Sequence, residues 1–171
     1  MVECGGCTLC CMMLNVKCMN SPSYQWCPHC DIGRGCRIHE TKSDECKNYD
    51  CMYVQQEKCN ISLRPDRCKI IFEKLNDDMI LALLHPDRKD ITDVARKQIH
   101  RFVTLEGYSV LLKSRTKPLQ VYVPKGVDAN KVFARFQDLE KEALNNLRNP
   151  NGRQTEEEME EKVDDSTIIY H

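Results

Sequence analysis

The stretch MILALLHPDRKDITDVARKQIHRFVTLEG, residues 79–107, decides the fold. Met79 to His85 reads as a buried strand, an apolar run of strand length that His85-Pro86-Asp87 breaks. Beyond the break, Asp90 can cap a helix. The apolar positions of that helix, Ile91, Val94, Ala95, Ile99, Phe102 and Val103, share one face at a 3.6-residue period. Gly107 ends it, in the role glycine takes just past a helix terminus. Upstream, Ile70 to Leu75 reads as a first strand, turned by Asn76-Asp77-Asp78. Downstream, Tyr108 to Lys113 and Leu119 to Val123 read as a hairpin around Arg115-Thr116-Lys117-Pro118. Asp128 then caps a second helix, with Val132, Phe133, Phe136, Leu139, Ala143 and Leu147 on one stripe, and Asn149-Pro150-Asn151-Gly152 stops it. The order ββαββα predicts an α+β module, two helices on a small antiparallel sheet.

Around this module the chain divides into three by composition. Residues 1–68 carry all twelve cysteines, with eight basic and eight acidic residues and few apolar runs. Such a segment buries too little apolar surface to fold unaided, so cross-links or metals must hold it. Residues 69–149 carry a net charge of +4. Residues 150–171 carry −5 and read as an acidic, disordered tail, with Ile168-Ile169-Tyr170 its only apolar anchor for a protein partner. The whole chain of 171 residues is near neutral at −1, which argues against a polyanion binder. Charged residues at 30% and apolar ones at 41% are globular values, and exclude a disordered or membrane-embedded chain. The N-terminus lacks the basic and apolar regions of a secretory signal, and no apolar run is long enough to span a bilayer. The expected location is cytoplasmic, where thiols stay reduced or metal-bound.

The cysteines carry the functional signal. Cys4-x2-Cys7-x2-Cys10 is followed directly by Cys11, and Cys27-Pro28-His29-Cys30 forms a second knuckle, with Cys18, Cys36, Cys46, Cys51, Cys59 and Cys68 more widely spaced. A Cys-x-x-Cys turn brings two thiolates to one tetrahedral ion, and Gly5-Gly6 relieves the first such turn of Cβ obstruction. Adjacent cysteines and short spacings suit a shared metal better than disulfide staples. The run opens like a bacterial ferredoxin motif, then departs from it at Cys11. Thiolate-rich sites suit both zinc and iron–sulfur clusters, so spacing leaves the metal open.

The string Cys4-Gly5-Gly6-Cys7-Thr8-Leu9-Cys10-Cys11 resembles the CxxCxxCC signature of the zinc- or iron-chelating (YkgJ-like) protein family. Gly35-Cys36-Arg37-Ile38-His39-Glu40 and Cys46-Lys47-Asn48-Tyr49-Asp50-Cys51 resemble its later blocks, with His39 where Tyr is common and Lys42-Ser43 where Arg-Pro is common. The similarity runs over about the first 126 residues, continuing weakly through Leu63-Arg64-Pro65-Asp66 and the Val110–Gly126 hairpin. The resemblance implies zinc or iron binding, or an iron–sulfur role beside an oxidoreductase, and a related domain occurs in proteins that methylate flagellin lysines. It transfers no catalytic residues. By matching positions it implies Cys4, Cys7, Cys10, Cys11, Cys27, Cys30, Cys36, Cys46 and Cys51 as metal ligands, enough for two four-thiolate sites.

Cys18, Cys59 and Cys68 fall outside the signature; each reads as a buried small apolar residue, Cys68 most clearly. His29 and His39 sit beside cysteines and could ligate a metal or donate to a thiolate. His85 and His100 are isolated, and Met12, Met13 and Met19 read as packing over the cluster. No nucleophile, phosphate-loop or dinucleotide motif is present, so the favoured function is a non-enzymatic metal-binding module. Iron–sulfur electron transfer is the alternative. Nucleic-acid binding rests only on Arg88, Lys89, Arg96, Lys97 and Arg101, whose ordinary reading is a solvated helix face.

Overall fold

A computed structural model of the chain describes residues 5–55, 60–148 and 169–170. The expected tail at 150–171, apart from residues 169–170, lies outside the described residues, as do Cys4 and Cys59. The cysteine-rich segment is built from short pieces. These are helices α1 (Cys10–Met13), α2 (Asp44–Lys47), α3 (Met52–Gln55) and α4 (Pro65–Cys68), with a two-residue hairpin of β1 (Cys30–Asp31) and β2 (Gly35–Cys36). There follow β3 (Ile70–Lys74), β4 (Met79–Leu84), helix α5 (Asp93–Thr104), β5 (Ser109–Lys113), β6 (Gln120–Tyr122), helix α6 (Ala129–Arg148) and a short β7 (Ile169–Tyr170). The protein is thus of mixed α and β content.

Strands β3 to β7 form one sheet in chain order, but it is mixed rather than antiparallel. β3/β4 and β5/β6 pair antiparallel; β4/β5 pair parallel, Met79 opposite Ser109, and β6/β7 are parallel too. The reason lies in α5. A twelve-residue helix between β4 and β5 carries the chain back to the end where β4 began, so β5 must run in the same direction.

Alternation along the strands sends side chains to two faces. Ile70, Phe72, Ile80, Ala82, Leu84, Val110 and Leu112 meet Ala95, Ile99 and Phe102 of α5. Phe102 is the hub, with its ring edge-on to Phe72 at 5.4 Å and to Tyr108 at 6.3 Å. The opposite face is shared. Met79, Leu111 and Val121 pack with Phe136 of α6, whereas Ile71 and Leu83 pack with Cys7, Leu9, Met12, Met13, Cys51, Tyr53 and Val54 of the cysteine-rich segment. That segment therefore rests on the sheet through its own apolar side chains.

Helix α5 starts two residues later than the sequence suggests. Its cap is Thr92, whose Oγ1 accepts from the Ala95 amide at 3.3 Å. Asp90 is drawn off instead by Lys117, with Nζ at 2.5 Å from its carboxylate. An ion pair across the fold has displaced the local cap. The helix ends at Thr104, and Gly107, at φ +77, turns the chain so that the Tyr108 amide donates back to the Phe102 carbonyl at 2.9 Å. Asp128 does cap α6, accepting from the Asn130 amide at 2.9 Å.

At the joint between segment and sheet, Arg64 grips Asp66 with two parallel hydrogen bonds of 2.7 Å. Arg64's hydrogen bonds hold the Asp66 carboxyl below its ordinary value. A depressed folded-state pKa contributes stability above the ordinary carboxylate value, and that contribution fades as pH falls through the depressed one. Asp66→Asn is therefore expected to lower the urea midpoint at about pH 7 and to differ less from wild type at about pH 3, below the ordinary carboxylate value. Equal differences at both values would show that the charge plays no part.

Candidate metal centre

The first knuckle owes its shape to a close approach of backbone. A Cβ on Gly6 would lie 2.5 Å from the carbonyl oxygen of Gly33, and the Gly33 amide donates to Thr8 Oγ1 at 3.1 Å. The 5–8 turn is thereby stitched to the β1–β2 hairpin. Gly6→Ala must push this contact apart, and is expected to cost about 1–3 kcal/mol, read as a lower denaturant midpoint. An unchanged midpoint would mean the two loops part freely.

The second knuckle is held by backbone as well. The Cys27 amide donates to the Cys11 carbonyl at 2.9 Å, and the Cys30 amide to the Cys27 carbonyl at 3.0 Å. Pairing of β1 with β2 sets Cys30 opposite Cys36. Arg37 closes the hairpin, its amide bonding the His29 carbonyl at 2.9 Å and its guanidinium bonding the Pro28 carbonyl. Ser43 caps α2 and so fixes Cys46, whose amide donates to Ser43 Oγ at 3.4 Å. The Cys51 carbonyl accepts from the Val54 amide at 3.0 Å at the start of α3.

These elements enclose one cleft of about 880 Å³. Cys7, Cys10, Cys11 and Cys27 line it, and so do Cys30, Cys36, Cys46 and Cys51. Eight of the nine expected ligands thus border a single space; the ninth, Cys4, lies outside the described residues. The ten described cysteines are not joined in disulfides. They surround the cleft rather than converge. Among the described residues no group of three or more His, Cys, Asp or Glu is gathered tightly enough to clasp a single ion.

Lys42 and Lys47 stand at the cleft, yet three of its thiols are shifted toward the neutral form. A hydrogen-bonded Cys10 thiol, and then burial, push Cys11 far up, while Cys30 lies close enough to bond it in turn. Burial, then Cys11, pushes Cys30 up to about 11. Burial raises Cys51 also. Cys11, Cys30 and Cys51 are thereby held toward the protonated thiol, and a cation placed beside them would oppose that shift.

His29 and His39 both border the cleft, and His39 Nε2 stands 3.5 Å from Lys42 Nζ. Met19 lines it, while Met12 and Met13 are buried beside it. Of the cysteines outside the signature, Cys18 and Cys68 are not among the residues that line the cleft, and Cys59 lies outside the described residues. Cys68 is buried in the α5 core, donating to the Leu63 and Ile70 carbonyls at 3.4 and 3.3 Å. Cys18, for which burial was the weaker expectation because its surroundings are polar, is exposed, and its thiol reaches Glu45 at 3.5 Å. His85 and His100 lie elsewhere: His85 accepts from the Asp87 amide at 3.2 Å, and His100 sits on the exposed side of α5.

Two residues at the cleft were not singled out from the sequence, Tyr49 and Glu73. Tyr49 Oη is buried with no hydrogen-bond partner among the described residues, and burial, then Glu73, pushes its phenol up. Burial raises the Glu73 carboxyl. The signal for Glu73 was in plain view as an acid within the apolar run Ile70-Ile71-Phe72-Glu73. Tyr49 carried none beyond lying between two cysteines. No helix among the described residues is long and apolar enough to cross a membrane. No family model matches the chain, and neither a curated protein nor a solved structure matches it.

Proposed function

We propose that this chain is a metal-binding protein that holds zinc or iron through clustered cysteine thiolates, in a mainly structural or accessory role. One observation carries the reading: eight signature cysteines, drawn from four separate stretches of chain, border the same cleft. Their chemistry fits the group, since soft thiolates suit zinc and iron. Cys7, Cys10, Cys11, Cys27, Cys30, Cys36, Cys46 and Cys51 would hold it, with Cys4 added by its place in the first knuckle. Bound metal would supply the positive charge that the half-buried Cys11 and the buried Cys51 need in order to ionise. In this reading residues 1–68 are a metal-binding lobe docked on a ββαββα lobe, and the chain belongs with the CxxCxxCC (YkgJ-like) family that it resembles.

The size of the cleft favours a second reading. A zinc ion with Zn–S bonds of about 2.3 Å needs far less room than 880 Å³. An iron–sulfur cluster uses the space and the number of thiols better than a single zinc ion, and would give the protein an electron-transfer or oxidoreductase-accessory role.

Metal and acid-labile sulfide analysis of anaerobically purified protein, with its visible spectrum, tests both. Zinc without sulfide supports the structural role. Iron with matching sulfide and visible absorption supports the redox role. Neither metal overturns the proposal.

A further inference from the structure

A second cavity, of about 300 Å³, lies away from the cysteines, between the chain leading into α5 and the strands β5 and β6. Its rim carries Lys89, Arg96 and Lys117 against the single carboxylate of Asp90. That carboxylate is already neutralised by Lys117 at 2.5 Å. Among the described residues Lys89 and Arg96 stand in no close ion pair, although Arg96 also acts on Asp90 at longer range, and the lining side chains carry an excess of two positive charges. Tyr122 stands among them: the nearby Arg96 and Lys117 oppose the effect of burial on its phenol, and its hydroxyl donates to Gln120 Oε1 at 3.1 Å. The floor is different in kind. Leu84 and Leu112 are buried, and Ile91 and Pro118 complete an apolar wall.

We infer that this cavity binds a small phosphomonoester with an apolar or aromatic body. The two cations outside any close ion pair would take the phosphate, the planar fork of Arg96 being suited to its paired oxygens. Leu84, Ile91, Leu112 and the Tyr122 ring would cover the body, and Gln120 and Ser114 would offer polar contacts at its edge. The volume stands at the lower end of the range for small-molecule sites, which suits one compact ligand rather than a nucleic-acid strand. This site would use Arg96 and Lys89, the cations whose ordinary reading in the sequence was solvation. It is independent of the metal reading.

The test is calorimetric titration of the full chain with AMP, adenosine and inorganic phosphate at physiological salt. AMP is expected to bind saturably with a dissociation constant below about 1 mM. Adenosine and inorganic phosphate should each bind about tenfold more weakly or worse, since each lacks half of the complement. Arg96→Ala and Lys89→Ala, both at exposed positions, should each weaken AMP about tenfold while leaving the thermal midpoint and metal content unchanged. Unsaturable AMP binding, or binding indifferent to both substitutions, would overturn the inference. So would inorganic phosphate binding as tightly as AMP, because the apolar wall would then take no part.

Discussion

If the cysteines hold a metal as proposed, stripping it from the full chain is expected to unfold the cysteine-rich segment and leave α5, α6 and the sheet in place. The cleft is walled by one-turn helices and a two-residue hairpin, none of which is stable alone in water. Their own apolar contribution is a small cluster resting on Ile71 and Leu83. Structural zinc in finger peptides supplies about 10–16 kcal/mol of apparent binding free energy, as much as the ~5–15 kcal/mol that holds a whole domain together. Near-UV dichroism and limited proteolysis before and after chelation are the measurements. New cleavage sites should fall between residues 5 and 68, and the fragment from β3 through α6 should survive. Unchanged spectra and protease resistance in fully metal-free protein would show that the segment stands on packing alone.

Phe102→Ala should act on the other side of the sheet. Phe102 is almost fully buried, and its ring makes edge contacts with both Phe72 and Tyr108. Truncation leaves a cavity and removes both contacts, a loss of about 3–5 kcal/mol. The urea midpoint should fall accordingly. Metal content should hold, because Phe102 packs on the face opposite to Ile71 and the cleft. A midpoint within about 1 kcal/mol of wild type would mean that the α5 core collapses around the gap.

Much of this architecture could be read from patterns of residue type. The apolar run of β4 and the 3.6-residue stripe of α5 are local signals, and local packing obeys them. Cys27 and Cys30 could be paired from their spacing, because a two-residue gap allows few geometries. Three things escaped for a shared reason: each depends on residues distant in the chain. The parallel pairing of β4 with β5 follows from where α5 delivers the chain, and strand periodicity does not encode a partner. Asp90 looked like a cap because nothing nearby announced Lys117, twenty-seven residues on. Glu73 and Tyr49 belong to the cleft only because β3 passes beneath the cysteine-rich segment. The shared cleft itself combined both kinds of information: spacing picked out the knuckles, and tertiary contacts brought Cys46 and Cys51 round to them.

The parallel junction at the centre of the sheet also sets the order of assembly. Each of the hairpins β3/β4 and β5/β6 closes a short loop, so either can form and melt quickly by itself. Joining them means closing the long connection that contains α5, from Leu84 to Ser109, before any hydrogen bond between β4 and β5 repays it. Against a hairpin loop this costs roughly 1.5 kcal/mol more in chain entropy. The folding barrier therefore lies at the β4–β5 seam, where two preformed ribbons meet. Substitutions there, such as at Ile80 or Val110, are expected to slow refolding in stopped-flow measurements, while changes at the outer surface of α6 should mainly alter the rate of unfolding.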